Sequence, residues 1–298
     1  MTDIRAVLDL ERLERDIYRG PVVDTLLKRT FGGQVAGQAL VAAERTVDPR
    51  FQVHSLHANF LRPGNPAMPT VYLIDRVKDG RSFCMRRVSG VQDGETIFAM
   101  SASFHVHEDG LEHQDRMPDV TGPEQLPDLR SSGDPDDGLW FGQEWGDWDL
   151  RMVPAEQSAT SGTASRQRVW MRHRQALPDD PVLHICALAY MSDMTLLDSA
   201  KVPHRDRETA NASLDHAMWF LRPFRADEWL LYDQTSPSAG FGRALTQGRI
   251  FTLDGRLAAA VVQEGLMRPV APGGGTSIIT QDGAASTKDG ATIDKDGA

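Results

Sequence analysis

The chain has 298 residues, with 32 basic and 42 acidic side chains, a formal net charge of −10 and two cysteines. A negative net charge argues against a nucleic-acid partner because phosphate backbones are repelled, and no apolar run approaches the ~18 residues of a membrane span. The N-terminus lacks a signal-peptide core, and the cysteines show no CxxC spacing. We therefore expect a cytoplasmic globular protein with neither a disulfide framework nor a thiolate metal site.

The first half of the chain predicts one helix followed by an antiparallel meander. Apolar residues recur at helical spacing from Gly33 to about Val47, and a contact face of mostly Ala and Gly would let this helix lie close against a sheet. Asp79-Gly80 and Asp93-Gly94 are typical of two-residue hairpins because Asp-Gly tolerates positive φ. The predicted strands are Val53–Leu61, Thr70–Val77, Ser82–Val91 and Thr96–His107.

An acidic segment separates the two regions of regular hydrophobic pattern, and a low-complexity tail follows the second region. Ten acids stand against two arginines between Glu108 and Asp137, with prolines interspersed, which predicts a solvated connector. Beyond about Arg268, Asp-Gly recurs every seven residues with few large apolar groups, which predicts disorder. The predicted divisions are a first unit at 1–107, the connector at 108–165, a second unit at 166–268 and a disordered tail at 269–298.

The second unit repeats the order of the first. A helix is predicted from about His184 to Leu197, and Asp254-Gly255 supplies the matching hairpin. The run Phe-Leu-Arg-Pro occurs at 60–63 and again at 220–223. This echo predicts a tandem duplication, and two such α+β units could pair into one continuous sheet. The predicted strands are Ser213–Leu221, Trp229–Gln234, Ala244–Leu253 and Leu257–Met267.

Two polar residues interrupt apolar faces in the second unit. Asp193 lies within the apolar stripe of the predicted helix. It is either desolvated, which raises its pKa and makes it a better base, or met by polar groups from the opposing sheet. If the register is shifted by one residue, it is instead exposed. Gln263 continues the strand face of Ala259 and Val261, and it either points inward, where an amide can hold a water or a carbonyl, or faces solvent at the strand end. Ser213 begins a predicted strand, where a lone serine is usually a turn residue. No G-x-S-x-G motif surrounds it, so the sequence does not indicate a nucleophilic serine.

Two other patterns are weaker. His105 and His107 share a strand face near Glu108 and His113, which could be a metal cluster but more simply is a solvated strand end. The glycines at 32, 33 and 37 lack the Lys-Ser/Thr of a phosphate-binding loop. Neither pattern therefore predicts a metal or phosphate site.

Taken together, the motifs identify the chain as similar to the acyl-CoA thioesterase II family of double-hotdog enzymes. They occur in family order and cover roughly residues 10–268. The matching segments are Phe31-Gly32-Gly33-Gln34-Val35-Ala36-Gly37-Gln38-Ala39-Leu40, Val53-His54-Ser55-Leu56-His57, Phe60-Leu61-Arg62-Pro63-Gly64, Asp79-Gly80-Arg81-Ser82-Phe83, Tyr190-Met191-Ser192-Asp193, Leu214-Asp215-His216-Ala217-Met218-Trp219-Phe220 and Val262-Gln263-Glu264-Gly265.

The resemblance implies a double hotdog that hydrolyses medium- to long-chain fatty acyl-CoA to free acid and CoA, without metal or organic cofactor. The family's catalytic aspartate, hydroxyl residue and glutamine fall on Asp193, Ser213 and Gln263. The only partners it implies are the acyl-CoA substrate and further copies of the chain, in a dimer or tetramer. A non-catalytic acyl-CoA-binding protein and a hotdog enzyme of the enoyl-CoA hydratase type remain alternatives. The latter usually pairs an aspartate with a histidine.

Overall fold

The computed structural model describes residues 3–131, 141–158 and 165–270. Part of the predicted connector, at 132–140 and 159–164, and the predicted tail from 271 onward lie outside the described residues. The α-helices are α1 (Ile4–Val7), α2 (Gly32–Glu44), α3 (Ala155–Ser158) and α4 (Pro181–Met191). The strands are β1 (Glu11–Glu14), β2 (Ile17–Arg19), β3 (Phe51–Phe60), β4 (Val71–Asp79), β5 (Phe83–Gln92), β6 (Glu95–Val106), β7 (Trp148–Met152), β8 (Arg166–His173), β9 (Thr209–Ser213), β10 (Asp215–Phe220), β11 (Leu230–Gly240), β12 (Arg243–Thr252) and β13 (Leu257–Pro269).

One antiparallel sheet contains the strands of both halves, in the order β1-β2-β4-β5-β6-β3-β10-β13-β12-β11-β8-β7, with β9 paired to β13. The halves join where β3 pairs with β10. His57 lies opposite Ala217, the position 160 residues later, and the pairs Asn59–Asp215 and Ser55–Trp219 flank it symmetrically. The repeated segments therefore meet in a register with local two-fold symmetry, as the duplication predicts.

Helices α2 and α4 pack against each other at the centre of the fold. A Cβ added to Gly33 would lie 2.2 Å from the backbone oxygen of Tyr190, and one added to Gly37 would lie 3.1 Å from that of Cys186. Glycine is needed at position 33 because any larger residue would force the helices apart. The glycine face predicted to approach the sheet thus approaches the second helix instead.

The second central helix differs from its predicted range. It begins at Pro181, where the Asp180 side chain accepts a hydrogen bond from the Val182 N–H. It ends at Met191, and the chain continues through turns into a 3₁₀ helix at Leu197–His204. Apolar spacing persisted past the helix end because the turns are also buried. The expectation that Asp193 lies inside the helix was therefore wrong: it lies in the turn that follows.

Several strands were not predicted. The edge strand β1 is exposed along its whole length, so it shows no apolar alternation. Strand β7 lies within the predicted connector, where it pairs with β8. Ser213 was expected to begin a strand, but it ends β9, and β10 starts two residues later. No helix in the described part of the chain is long and apolar enough to cross a membrane.

Candidate active site

Three polar side chains from separate elements meet beside the end of helix α4. The amide nitrogen Nε2 of Gln263, on β13, donates hydrogen bonds to Asp193 Oδ1 at 2.9 Å and to Ser213 Oγ at 2.6 Å. The Ser213 hydroxyl lies 3.4 Å from the same carboxylate oxygen. The structure therefore brings together Asp193, Ser213 and Gln263. It also places Gln263 inside the protein, with no exposed surface.

The surroundings of Asp193 shift its proton affinity. Desolvation by the enclosing protein raises the pKa of its carboxyl from 3.8 to about 6, although some of the residue's surface stays exposed. Hydrogen bonds from Gln263, the Gly33 N–H and Ser213 oppose this rise, and the charge of Asp198 adds to it. A carboxylate with a pKa near 6 is still mostly ionised at pH 7 and is a stronger base than an ordinary aspartate.

The N-terminus of helix α2 approaches this carboxylate from the first half of the chain. The first N–H groups of a helix have no partner within the helix and carry partial positive charge, and the N–H of Gly33 hydrogen-bonds Asp193. A Cβ added to Gly32 would lie 2.6 Å from Asp193 Oδ2 and 2.9 Å from the Phe60 ring. The glycine pair thus permits a close approach of backbone and carboxylate, which the sequence analysis did not anticipate.

His216 is a site residue that the sequence analysis missed. Its Nδ1 lies 3.2 Å from Gln263 Oε1 and its Nε2 lies 2.9 Å from Ser192 Oγ. It is 1% exposed, and desolvation lowers its pKa to about 4, so the ring is neutral. Because Gln263 Nε2 faces the acceptor-only carboxylate, its Oε1 needs a donor. This assigns the imidazole proton to Nδ1, so the Ser192 hydroxyl, which also lies 3.0 Å from the Ala189 carbonyl oxygen, must turn its single proton to Nε2.

A signal for His216 was present in the sequence. It neighbours Asp215 on β10, and adjacent residues of a strand point to opposite faces of the sheet, but nothing in a single strand shows which side chain the inward one meets. The contact with Gln263 joins β10 to β13, which pair only in the tertiary structure.

A cavity of about 290 Å³ reaches this group of side chains at Ser213, which lines its wall. Gly32 and Phe60 line it from the first half of the chain, and Ser213 and Leu266 from the second. A ligand in this cavity would therefore reach the Asp193 site from the junction of the two halves.

The histidines of β6 do not form a metal site. His105 stacks on Phe83 with ring centroids 4.2 Å apart, and its Nε2 lies 3.8 Å from Glu108. Among the described residues, no group of three or more His, Cys, Asp or Glu side chains could hold a metal ion. The region is a strand end, as the simpler interpretation predicted.

Comparison with known proteins decides the family. The model of the acyl-CoA thioesterase family matches residues 142–266, and that of the acyl-CoA thioesterase N-terminal domain matches 24–105. Acyl-coenzyme A thioesterase 8 of Mus musculus is 39% identical over 287 residues, which cover 89% of this chain and 88% of the relative. The chain belongs to the acyl-CoA thioesterase family. The family and the enzyme class predicted from the sequence are thereby confirmed.

Solved structures agree with this family and its fold. The crystal structure of an acyl-CoA thioesterase II from Mycobacterium marinum is 58% identical, with a TM-score of 0.81, and the match covers 90% of this chain and 99% of that one. A protein of Alicyclobacillus acidocaldarius described as having a hot dog fold has a TM-score of 0.74 at 21% identity, over 91% of this chain and 100% of that one. The predicted α+β double hotdog is confirmed.

Proposed function

We propose that this acyl-CoA thioesterase acts on medium- to long-chain fatty acyl-CoA and that Asp193, Ser213 and Gln263 activate the attacking water. The observation that carries the proposal is the pair of hydrogen bonds from Gln263 to Asp193 and Ser213, beside a carboxyl whose pKa is raised to about 6. A base of this strength, held by two polar neighbours of which Ser213 lines a cavity, suits proton abstraction from water near neutral pH.

In the proposed reaction, the water oxygen attacks the thioester carbonyl carbon while Asp193 takes a proton from the water. Ser213 orients the water through a hydrogen bond, and Gln263, whose amide donates to both Asp193 and Ser213, holds these two side chains in position. The tetrahedral intermediate then breaks its C–S bond, and the thiolate of CoA leaves and takes up the proton held by Asp193. Because a thiolate is a good leaving group, no separate strong acid is needed and no covalent enzyme intermediate forms.

The negative charge that develops on the carbonyl oxygen needs hydrogen-bond donors. The first-turn N–H groups of helix α2 lie close enough to Asp193 for that of Gly33 to hydrogen-bond it. We assign stabilisation of the oxyanion to this helix end, since its free N–H groups and positive dipole end favour an anion.

The hydratase alternative requires a histidine that faces the substrate together with the aspartate. His216 is the histidine that reaches the site, but both its ring nitrogens are engaged by Gln263 and Ser192, and it is almost fully buried. It can orient Gln263 but cannot deliver a proton to a bound substrate. The geometry therefore favours hydrolysis over hydration.

The first experiment is to measure thiol release from acetyl-, octanoyl- and palmitoyl-CoA by the purified protein, with and without a chelator. We expect chelator-resistant release that is faster with the two longer chains than with acetyl-CoA. Saturable binding of all three substrates without release would instead identify a non-catalytic acyl-CoA-binding protein. Loss of release with chelator would contradict a metal-free mechanism.

We also propose that the chain forms a homodimer or homotetramer and acts in fatty acid metabolism. The outermost strand β1 carries two glutamates and an arginine and is fully exposed, so pairing through this edge is disfavoured. Light scattering on the purified protein would give the number of copies, and a monomer at all concentrations would contradict the proposal.

The cytoplasmic location and the division at 1–107, 108–165 and 166–268 stay predictions.

A further inference from the structure

We propose that the cavity beside Ser213 is the subsite for the CoA portion of the substrate, with Arg29 and Arg268 binding its phosphates and Thr30 and Asn211 binding the amides of its pantetheine arm. This inference rests on the proposed function and names the groups that distinguish CoA from a simpler thioester. All four residues line the cavity that contains Ser213 in its wall.

The charge at the cavity supports phosphate binding. Neither Arg29 nor Arg268 has a side-chain hydrogen bond or ion pair with another described residue, whereas Arg62 in the same wall is engaged by Glu95 and the Thr96 carbonyl. Arg268 is exposed and Arg29 half-buried. Two unpaired guanidinium groups on a chain of net charge −10 form a local attraction for an anion.

The two arginines come from opposite halves of the chain. Arg29 precedes helix α2, and Arg268 lies near the end of β13. Both line the same cavity as Ser213 and both reach solvent, which suits a ligand whose phosphates stay near the surface while its thioester end reaches Ser213.

Two other residues of the cavity wall carry polar atoms without partners. Thr30 Oγ1 and Asn211 Oδ1 are buried, and neither has a hydrogen-bond partner among the described residues. A buried polar atom left unpaired is unfavourable, so such atoms commonly mark a position that a ligand or water satisfies. A hydroxyl can donate to an amide carbonyl and a carboxamide oxygen can accept from an amide N–H, and the pantetheine arm offers both groups.

The size of the cavity agrees with a slender ligand. Its volume of about 290 Å³ is at the lower end of the range of about 300–1,000 Å³ for small-molecule sites. This volume accommodates an extended arm but not the whole of CoA. We therefore place the nucleotide outside the cavity, with its phosphates between Arg29 and Arg268.

The test compares two substrates with the same acyl group, octanoyl-CoA and the N-acetylcysteamine thioester of octanoate, which lacks all phosphates. For octanoyl-CoA, Arg29→Gln and Arg268→Gln should each raise KM about tenfold at unchanged kcat. For the truncated thioester, kcat/KM should stay within about twofold of the wild-type value. The matched control is Arg87→Gln, which removes an exposed arginine outside the cavity wall. It should leave kcat and KM unchanged for both substrates.

Salt and the uncharged residues give further readouts. The KM of the wild type for octanoyl-CoA should rise with ionic strength, and the double arginine variant should lose most of this dependence. Thr30→Val, which removes only the hydroxyl, should raise KM for octanoyl-CoA about fivefold. An unchanged KM in both arginine variants, or an equal loss on both substrates, would overturn the assignment of the phosphate site.

Binding measured without reaction separates this inference from the proposed function. Calorimetric titration with desulfo-CoA, which has no thioester, should give about tenfold weaker binding for each arginine variant. If the wild type hydrolyses the truncated thioester but the arginine variants bind desulfo-CoA normally, the subsite is wrong and the activity stands. If the wild type hydrolyses neither thioester, the proposed function fails whatever the binding result.

Discussion

The imidazole of His216 contacts the amide oxygen of Gln263, with Nδ1 3.2 Å from Oε1. The amide nitrogen of the same side chain contacts Asp193 and Ser213. A glutamine amide can rotate to exchange its oxygen and nitrogen, and only one orientation gives a donor to the carboxylate. The Nδ1–H tautomer of His216 matches that orientation, because it offers Gln263 Oε1 a donor. His216 is therefore a positioning residue that acts through Gln263.

Removing the ring donor should lower turnover. His216→Phe keeps a planar ring but leaves Gln263 Oε1 without a donor, and we expect kcat to fall about tenfold or more. His216→Asn, which restores an N–H donor, should recover part of the loss. The low-pH limb of the kcat/KM profile should persist in both variants, because the pKa of His216 is already lowered to about 4. A disappearance of that limb in His216→Phe would contradict a purely positioning role.

Removing the proposed base, Asp193, should nearly abolish activity. Asp193→Asn keeps the size of the side chain but cannot accept the proton, and general-base catalysis typically contributes about 10²–10⁴ in rate. We expect a loss in kcat of that size with an unchanged circular dichroism spectrum. The matched control is Asp198→Asn, which removes an exposed, nearby carboxylate. Near-normal kcat in Asp193→Asn would exclude this residue as the base.

The activity of the wild type should depend on pH through Asp193. The base must be ionised, so kcat/KM should rise with pH and level off above an apparent pKa of about 6. Asp198→Asn should move this limb to lower pH, because the charge of Asp198 raises the pKa of Asp193. A profile of kcat/KM between pH 4 and 9, measured for the wild type and for Asp198→Asn, checks both expectations. A limb that persists unchanged in the residual activity of Asp193→Asn would show that another group titrates.

The free energy of unfolding should fall with rising pH, whereas kcat/KM should rise. The folded pKa of Asp193 is about 6 and its ordinary value 3.8, so between these values the folded state binds more protons than the unfolded state. Stability is therefore lost as pH rises through this window, by no more than about 3 kcal/mol. Asp193→Asn should accordingly raise the melting temperature above pH 6 and lose this advantage towards pH 4. A variant less stable than the wild type at pH 8 would contradict the desolvation of this carboxylate.

The two glycines that begin helix α2 should respond differently to alanine. At Gly33 the new Cβ meets the backbone oxygen of Tyr190 at 2.2 Å, so helices must separate, and we expect a loss of about 1–3 kcal/mol in unfolding free energy. At Gly32 it meets the side chains of Asp193 and Phe60, which can move. Gly32→Ala should therefore lose activity more than stability. Gly110→Ala, with open space around its Cβ, is the control for both.

Chemical denaturation and steady-state kinetics on these three glycine variants give the comparison. Full activity in Gly32→Ala would show that Asp193 does not need its present position. Wild-type stability in Gly33→Ala would show that the close approach of α2 and α4 is not required for folding.

Much of the fold could be predicted because it depends on local pattern. Alternating side chains, Asp-Gly turns and the repeated Phe-Leu-Arg-Pro segment were enough to predict two helix-plus-sheet units. The Asp93-Gly94 hairpin indeed has positive φ at both residues. By contrast, Asp79-Gly80 has no positive φ and opens a longer connection to Phe83. Strand β1 left no apolar signal, since an edge strand is held by backbone hydrogen bonds to its neighbour while its side chains face solvent.

The sequence by itself determined the family, the order of the elements and the polar residues that stand out on apolar faces. Only the tertiary structure decided which of those residues meet. Asp193 comes from a turn, Ser213 from the end of β9 and Gln263 from β13, while Gly33 and His216 reach them from α2 and β10. Hydrogen bonds across such separations depend on strand register and helix packing, which a periodic pattern along one segment does not encode. Asp193, Ser213 and Gln263 were therefore predicted one by one, whereas their geometry and the contacts of His216 and Gly33 are properties of the assembled fold.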